Sequence, residues 1–132
     1  NGHIMGRDGQ GRKTFWLTTP KPGESFGEYS QRVLRDLFYS RLILEQALHK
    51  PIYHFAYPFG AHSDTTDELA REAGFRYIWT TRAEPVKRDS PLYSLGRVSV
   101  GIKGTSAEQL KARILKVAGD KKLCSAVKPL QY

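Results

Sequence analysis

The stretch YHFAYPFGAHSD, residues 53–64, joins an apolar run to a Pro-Phe-Gly break and a following histidine. Pro58 restricts the backbone and lacks an N–H, while Gly60 permits backbone conformations that are closed to other residues. The N–H of Phe59 can therefore be held pointing into a cleft, where it would stabilise a developing oxyanion. The same residues also suit an ordinary corner between a strand and a helix, because Pro-x-Gly turns are common. The stretch is thus a candidate wall of an active site, with a purely structural corner as the alternative.

The histidines of the chain do not form an HxxxH or HExxH pair, so the sequence shows no complete metal site. His62 follows the Pro-Phe-Gly break, at a position suited to the rim of a substrate cleft. His54 lies in the apolar run and is interpreted as a hydrogen-bonded core residue. His49 is interpreted as a structural residue at a helix end, and His3 lies in the tail that opens the chain. From the residues alone, only His62 is a candidate for substrate contact.

The elements before this stretch are predicted from periodicity. Apolar residues at helical spacing predict a long helix from Glu24 to Pro51, and a short apolar run at 52–57 predicts a strand covered on both faces. Residues 1–25 are rich in Gly and Pro and are predicted to form a loop, with a short extended piece at 14–17.

A second helix and strand are predicted after the stretch. The helix begins near Asp64, where Thr65 and Glu68 have the spacing of a capping box, and it ends at Gly74. The sequence FRYIWTT, residues 75–81, then predicts a second strand.

The rest of the chain predicts a third strand and a last helix. LYSLGRVSV, residues 92–100, indicates the strand, and Thr105 with Glu108 repeats the capping-box spacing before the helix. The order of elements predicts an α/β domain with largely parallel strands. Its core is expected at 26–118, followed by a tail at 119–132.

Composition restricts the class of protein. The chain has 132 residues, 15.0 kDa, 39% hydrophobic residues and a net charge of +8, as expected for one folded domain. The basic residues are scattered and do not alternate with aromatic residues, so nucleic-acid binding is not the favoured prediction. No apolar run reaches the length of a transmembrane segment. Cys124 is the single cysteine, which excludes an internal disulfide.

The string FAYPFGAHSDTTDELAREAGFRYIWTT, followed after a loop by LGRVSV, resembles the second half of a NodB-type polysaccharide deacetylase, carbohydrate esterase family 4. Within this family the chain is most similar to the branch that de-N-acetylates poly-N-acetylglucosamine in biofilm systems. The predicted first helix also resembles that branch, so the resemblance covers most of residues 24–118. It implies that the chain, residues 1–132, is the C-terminal portion of a deacetylase domain, part of a distorted (β/α) barrel.

The resemblance also implies a site. The family uses a divalent metal, usually zinc, held by one aspartate and two histidines, and the metal activates a water molecule. In this sequence the N–H of Phe59 would complete the oxyanion site. Tyr57, Pro58, Gly60 and His62 would form the substrate-binding wall beside it.

The chain departs from the family pattern in three places. Residues 1–25 contain no counterpart of the family's Asp-Asp pair. The opening NGH resembles the end of the family's histidine motif, which would make His3 a metal ligand, and a simple tail is the alternative. The late motif that often supplies a histidine as general acid corresponds to Leu95–Val98, which has none. Arg97 occupies that position instead, and it would orient the site or adjust its charge. The alternative is an arginine at the edge of a strand, paired with a carboxylate.

These observations predict a metal-dependent enzyme that removes N-acetyl groups from an extracellular polysaccharide built from N-acetylglucosamine. The enzyme is expected outside the cell or on its surface. The chain alone is expected to be inactive, because His3 is its one candidate ligand and a catalytic zinc needs three. The polysaccharide and a missing N-terminal part of the same domain are the expected partners. A non-catalytic carbohydrate-binding module and a basic nucleic-acid-binding domain are the alternatives.

Overall fold

Helices and short strands alternate along the chain in the computed structural model, which describes residues 5–98 and 105–119. The order is β1 (Met5–Arg7), β2 (Lys13–Phe15), α1 (Phe26–Leu48), β3 (His54–Ala56), a 3-10 turn (Pro58–Gly60), α2 (Asp64–Glu72), β4 (Tyr77–Trp79) and α3 (Ala107–Ala118). In this part of the chain no helix combines the length and apolar character of a membrane span.

Helix α1 begins at a capping box. The N–H of Ser25 donates to Glu28 Oε2 over 2.8 Å, while the N–H of Glu28 donates to Ser25 Oγ over 3.3 Å, so two free N–H groups at the helix start are satisfied. Tyr29, Val33 and Leu37 recur at intervals of four and form the buried stripe of the helix. The predicted long helix is confirmed.

Strands β3 and β4 are parallel, with His54 opposite Tyr77 and Ala56 opposite Trp79. The alternate residues of these strands, among them the fully buried Ile78, join the core formed with α1 and α2. The parallel arrangement agrees with the predicted α/β class. The core contains Tyr29, Val33, Leu37, Tyr57, Leu69, Ala70, Ala73, Phe75 and Ile78.

The other face of the β3–β4 pair is open in the described residues. His54 is exposed, and its ring stacks on Tyr77 with centroids 4.7 Å apart. Trp79 Nε1 donates to His54 Nδ1 over 3.1 Å. Within the described residues, the predictions of a core residue at His54 and of a strand covered on both faces are therefore wrong, although the hydrogen bond of His54 is present. Alternation along β3 turns His54 away from the core that Phe55 contacts.

Among residues 5–25, for which the sequence predicts a loop with an extended piece at 14–17, residues 5–15 differ and 16–25 contain no helix or strand. Residues 5–15 form an antiparallel hairpin, with Gly6 opposite Thr14. Asp8 stabilises the connection, because its Oδ1 accepts the N–H of Gln10 at 3.0 Å and the N–H of Arg12 at 2.9 Å. Short-range turn chemistry therefore forms the hairpin without an alternating apolar pattern.

The third predicted strand is reduced to a single bridge within residues 92–98, where Leu95 pairs with Trp79 in parallel. Residues 99–104 lie outside the described residues. Leu95 N–H donates to Ile78 O, and Thr80 N–H donates to Leu95 O, both over 2.8 Å, so this segment follows the far edge of β4.

The predicted capping boxes are also shifted. α2 is capped by Ser63 with Thr66, and α3 by Ser106 with Gln109. In both helices the serine has the extended backbone that a capping residue needs, which explains why the predicted threonine pairs are not used. Helix α2 ends at Glu72, and Gly74, the residue predicted to close the helix, follows its C-cap with φ of 97°.

Candidate active site

The Tyr57–Gly60 turn stands at the carboxyl end of β3. Gly60 N–H donates to Tyr57 O over 3.0 Å and closes the turn. Pro58 occupies its second position, and Phe59 occupies the third with φ of 56° and ψ of 7°, as in a type II turn. The central peptide of such a turn lies outside its closing hydrogen bond. The N–H of Phe59 belongs to this peptide, and among the described residues it donates to no acceptor.

Phe59 has a backbone conformation that is uncommon for an aromatic residue. Its left-handed backbone is costly for a side chain with a Cβ, and glycine or asparagine would normally stand there. The side chain is 72% exposed, and its ring contacts Phe15 of β2 with centroids 5.7 Å apart. Core packing therefore does not explain this strained residue, and strain of this kind is concentrated at functional sites.

The end of β4 approaches the turn closely at Gly60. A Cβ on Gly60 would lie 2.7 Å from Thr81 Cγ2 and 2.8 Å from Thr81 Cβ, so only glycine fits without displacement. Gly60 also has φ of 72°. The glycine is thus required both by its backbone conformation and by the neighbouring strand end.

Arg97 joins the ends of β3 and β4. Its Nε donates to Thr80 O over 3.0 Å, and its Nη2 lies 3.5 Å from Tyr57 O. Among the described residues it has no carboxylate partner, so the alternative of a strand-edge ion pair does not describe its contacts. The half-buried guanidinium therefore contacts the backbone of both strand ends.

Tyr57, His62 and Asp67 form a polar group behind the turn. Tyr57 OH donates to Asp67 Oδ1 over 2.6 Å, and the His62 ring stacks on the Tyr57 ring with centroids 5.3 Å apart. His62 Nδ1 lies 3.4 Å from Asp67 Oδ2. Burial, followed by the contact with Asp67, raises the pKa of Tyr57 well above its ordinary value, so its hydroxyl stays protonated.

Sequence reasoning missed Asp67. The signal was available in α2, where Asp67 precedes Ala70 by three positions and so shares the apolar face of the helix. A carboxylate that is 8% exposed on such a face needs hydrogen-bond partners.

A cavity of about 570 Å³ lies beside the turn, because Thr81, which lines the cavity, also lies against Gly60 of the turn. The loop after β4 forms one side and α3 the other, with Arg113 and Lys116 supplying positive charge. The complete lining is Thr81, Ala83, Glu84, Pro85, Val98, Arg113, Lys116 and Val117. The space is large enough for a small ligand or one part of a polymer.

The described residues do not supply a metal centre. No three His, Cys, Asp or Glu side chains within 5–98 and 105–119 are grouped so that they could hold an ion. His3, the one predicted ligand, lies outside these residues. The structure thus brings Tyr57, Pro58, Phe59, Gly60 and His62 together around one turn, places Arg97 against it, and does not describe His3.

The arrangement defines a mixed helix–strand domain whose polar groups meet at the carboxyl edge of a parallel strand pair. A family model described as polysaccharide deacetylase matches residues 13–78. Because this match covers half of the chain, the chain belongs to the polysaccharide deacetylase family, and the family prediction is confirmed. A search of curated proteins gives no match.

Solved structures show the same fold. The de-N-acetylase from Aggregatibacter actinomycetemcomitans matches 86% of the chain and 44% of its own length, with a TM-score of 0.74 and 18% identity. The BpsB deacetylase domain from Bordetella bronchiseptica matches 74% of the chain and 39% of its own length, with a TM-score of 0.64 and 26% identity. IcaB from Ammonifex degensii matches 82% of the chain and 42% of its own length, with a TM-score of 0.57 and 28% identity. The chain thus spans about two fifths of the length of these structures.

Proposed function

We propose that the chain is the C-terminal part of a deacetylase domain that removes N-acetyl groups from an extracellular polysaccharide containing N-acetylglucosamine. The single observation that carries the proposal is the N–H of Phe59, which has no acceptor among the described residues and is held in a strained turn at the carboxyl edge of β3, in a chain of the polysaccharide deacetylase family. Hydrolysis of an acetamide passes through a tetrahedral oxyanion. A backbone donor fixed before the reaction is the kind of group that stabilises this charge.

The proposed roles of the other site residues follow from their contacts. Arg97 orients the two strand ends and adds positive charge near the oxyanion. Pro58 and Gly60 fix the turn, and Tyr57 supports it from behind. His62 is proposed to contact the substrate, since its half-buried ring lies at the rim of the turn.

We propose a divalent metal, zinc by the family resemblance, as the cofactor. Bound zinc would lower the pKa of a water molecule and polarise the acetamide carbonyl. The described residues do not fit a zinc site by themselves, so its ligands would come from His3 and from residues beyond this chain. The 132 residues alone are accordingly proposed to be inactive.

The open face of the β3–β4 pair supports this incomplete state. Strands of parallel sheets are ordinarily covered on both faces, whereas His54 is exposed and Tyr77 and Trp79 are only half-buried. The solved deacetylases are more than twice as long as their matched parts. We propose that a further part of the domain covers this face and completes a distorted barrel. The extracellular or cell-surface location is proposed from the resemblance to the biofilm branch.

The alternative is a carbohydrate-binding module without catalysis. One observation favours it: the rings of His54 and Trp79 are exposed or half-exposed and lie 17° from parallel with centroids 6.1 Å apart, so the open face of the strand pair carries an aromatic surface. Such a surface suits a sugar ring as well as it suits a covering strand.

Acetate release separates these functions. The test compares the polypeptide as encoded, including any residues that precede Asn1, with the 132-residue chain, using oligomers of N-acetylglucosamine as substrate. We expect the encoded polypeptide to release acetate with zinc and to lose this activity with a chelator, while the 132-residue chain releases none. Oligosaccharide binding without acetate release would support the binding module. Affinity for polyanions that falls steeply with salt would support nucleic-acid binding.

A further inference from the structure

We propose that Asp67 is a positioning residue that fixes the Phe59 turn by holding the residues on both sides of it. The catalytic part of this inference rests on the proposed deacetylase function. Asp67 has its described side-chain contacts with Tyr57 and His62, and none of these hydrogen bonds reaches the central peptide of the turn. It acts through Tyr57, which precedes the turn, and through His62, which follows it.

The contact on the first side is strong. Tyr57 OH and Asp67 Oδ1 are 2.6 Å apart, and the two residues are 1% and 8% exposed. A short hydrogen bond to a carboxylate is stronger than a bond between neutral groups, and burial increases the cost of breaking it. The Tyr57 side chain is therefore fixed, and with it the backbone that leads into Pro58.

The contact on the second side combines stacking with a polar approach. The His62 ring lies 22° from parallel to the Tyr57 ring, and its Nδ1 lies 3.4 Å from Asp67 Oδ2. Each oxygen of the carboxylate therefore faces one flank of the turn. Helix α2 supports this arrangement, because Asp67 N–H donates to Ser63 O over 2.9 Å and the first turns of a helix favour negative charge.

Pairing with lysine or arginine does not explain the position of Asp67. Within the described residues no lysine or arginine forms an ion pair with it, so its side chain is matched to the tyrosine hydroxyl and the histidine ring alone. Phe59 needs such support, because its left-handed backbone is maintained only where the surrounding structure holds it. These contacts indicate that Asp67 keeps the Phe59 N–H oriented in one direction.

The experiment measures kcat and KM for acetate release by the encoded polypeptide with zinc. We expect Asp67→Ala and Tyr57→Phe each to lower kcat about tenfold to a hundredfold with little change in KM, because a misdirected donor weakens transition-state binding. The double variant should be no worse than the poorer single variant, since both remove the same contact. Asp67→Asn, which keeps an acceptor for Tyr57 OH, should recover most of kcat. Asp64→Ala, which removes an exposed carboxylate from the same helix, is the control.

A second measurement uses NMR relaxation on the same encoded polypeptide and needs no activity. We expect the amide order parameters of Phe59 and Gly60 to fall from about 0.85 to below about 0.6 in Asp67→Ala and to stay high in Asp64→Ala. Unchanged order and unchanged kcat in Asp67→Ala would overturn the inference. If the wild type released no acetate, the proposed function would fail, and the order parameters would still decide whether Asp67 holds the turn.

Discussion

Replacing Gly60 by alanine tests whether the end of β4 confines the Phe59 turn. Glycine has φ of 72° here, and an added Cβ would lie 2.7 Å from Thr81 Cγ2 and 2.8 Å from Thr81 Cβ. Rotation of the threonine side chain would move Cγ2 away. It would not move Cβ, whose position is set by the backbone, so one of the two strand ends must shift.

The expected loss has two parts. A residue with a Cβ in the left-handed conformation costs about 1–2 kcal/mol. Overpacking at a close contact costs typically about 1–3 kcal/mol more. Gly23 supplies a matched control, because its φ is 80° and nothing lies within 4 Å of its added Cβ. Gly23→Ala should therefore show only the backbone cost, and Gly60→Ala should lose about 1–3 kcal/mol more.

The assay is urea unfolding of the 132-residue chain, followed by circular dichroism at constant pH. The double variant Gly60→Ala/Thr81→Gly removes the atoms that the new Cβ would meet. This double variant should regain the free energy of unfolding that overpacking removes, while the backbone cost remains. The coupling energy between the two substitutions should therefore be about 1–3 kcal/mol. Equal losses for Gly60→Ala and Gly23→Ala, with no coupling to Thr81, would refute the close contact.

Three further predictions concern activity, acid stability and the core. In the encoded polypeptide with zinc, Phe59→Ala should change acetate release little while Gly60→Val lowers kcat about a hundredfold, because the backbone N–H is the proposed donor; the opposite order would indicate a side-chain role. Hydrogen bonds from Arg32 lower the pKa of Glu24 to about 2 from its ordinary 4.5, so this contact stabilises the fold above pH 4.5 and is lost as the pH falls towards 2. Urea midpoints at pH 7 and pH 3 should therefore differ less in Glu24→Gln than in the wild type, and an equal difference would contradict the pairing. Leu37→Ala should cost about 2–5 kcal/mol in the same unfolding assay, since the side chain is 4% exposed, and a loss under about 1 kcal/mol would place it outside the core.

The helices and the parallel strand pair could be predicted because their signals are local and repetitive. The stripe of Tyr29, Val33 and Leu37 recurs with the period of a helix, and the apolar run before Pro58 marks a strand. The convergence of the turn with Arg97 could also be predicted, because carboxyl ends of parallel strands share one edge.

Other features depend on contacts that a linear pattern does not contain. The hairpin at residues 5–15 is held by Asp8 and its hydrogen bonds to nearby N–H groups, with strands too short to show a period. The starts of α2 and α3 each offered two capping pairs with the same spacing, and only backbone conformation distinguishes them. The contact between Asp67 and Tyr57 could not be predicted from the sequence, because ten residues and a turn separate them.

The contacts of Arg97 and Tyr57 suit these residues to positioning the turn rather than to transferring protons. The Arg97 guanidinium faces carbonyl oxygens from segments 17 and 40 residues earlier in the chain, and an arginine is not an ordinary proton shuttle. Tyr57 keeps its proton because burial raises its pKa, and that proton is already donated to Asp67. Neither group is suited to exchange a proton with a reacting acetamide near neutral pH. Both are suited to hold the Phe59 N–H in place, so in the proposed reaction these two residues would supply orientation and charge rather than a proton.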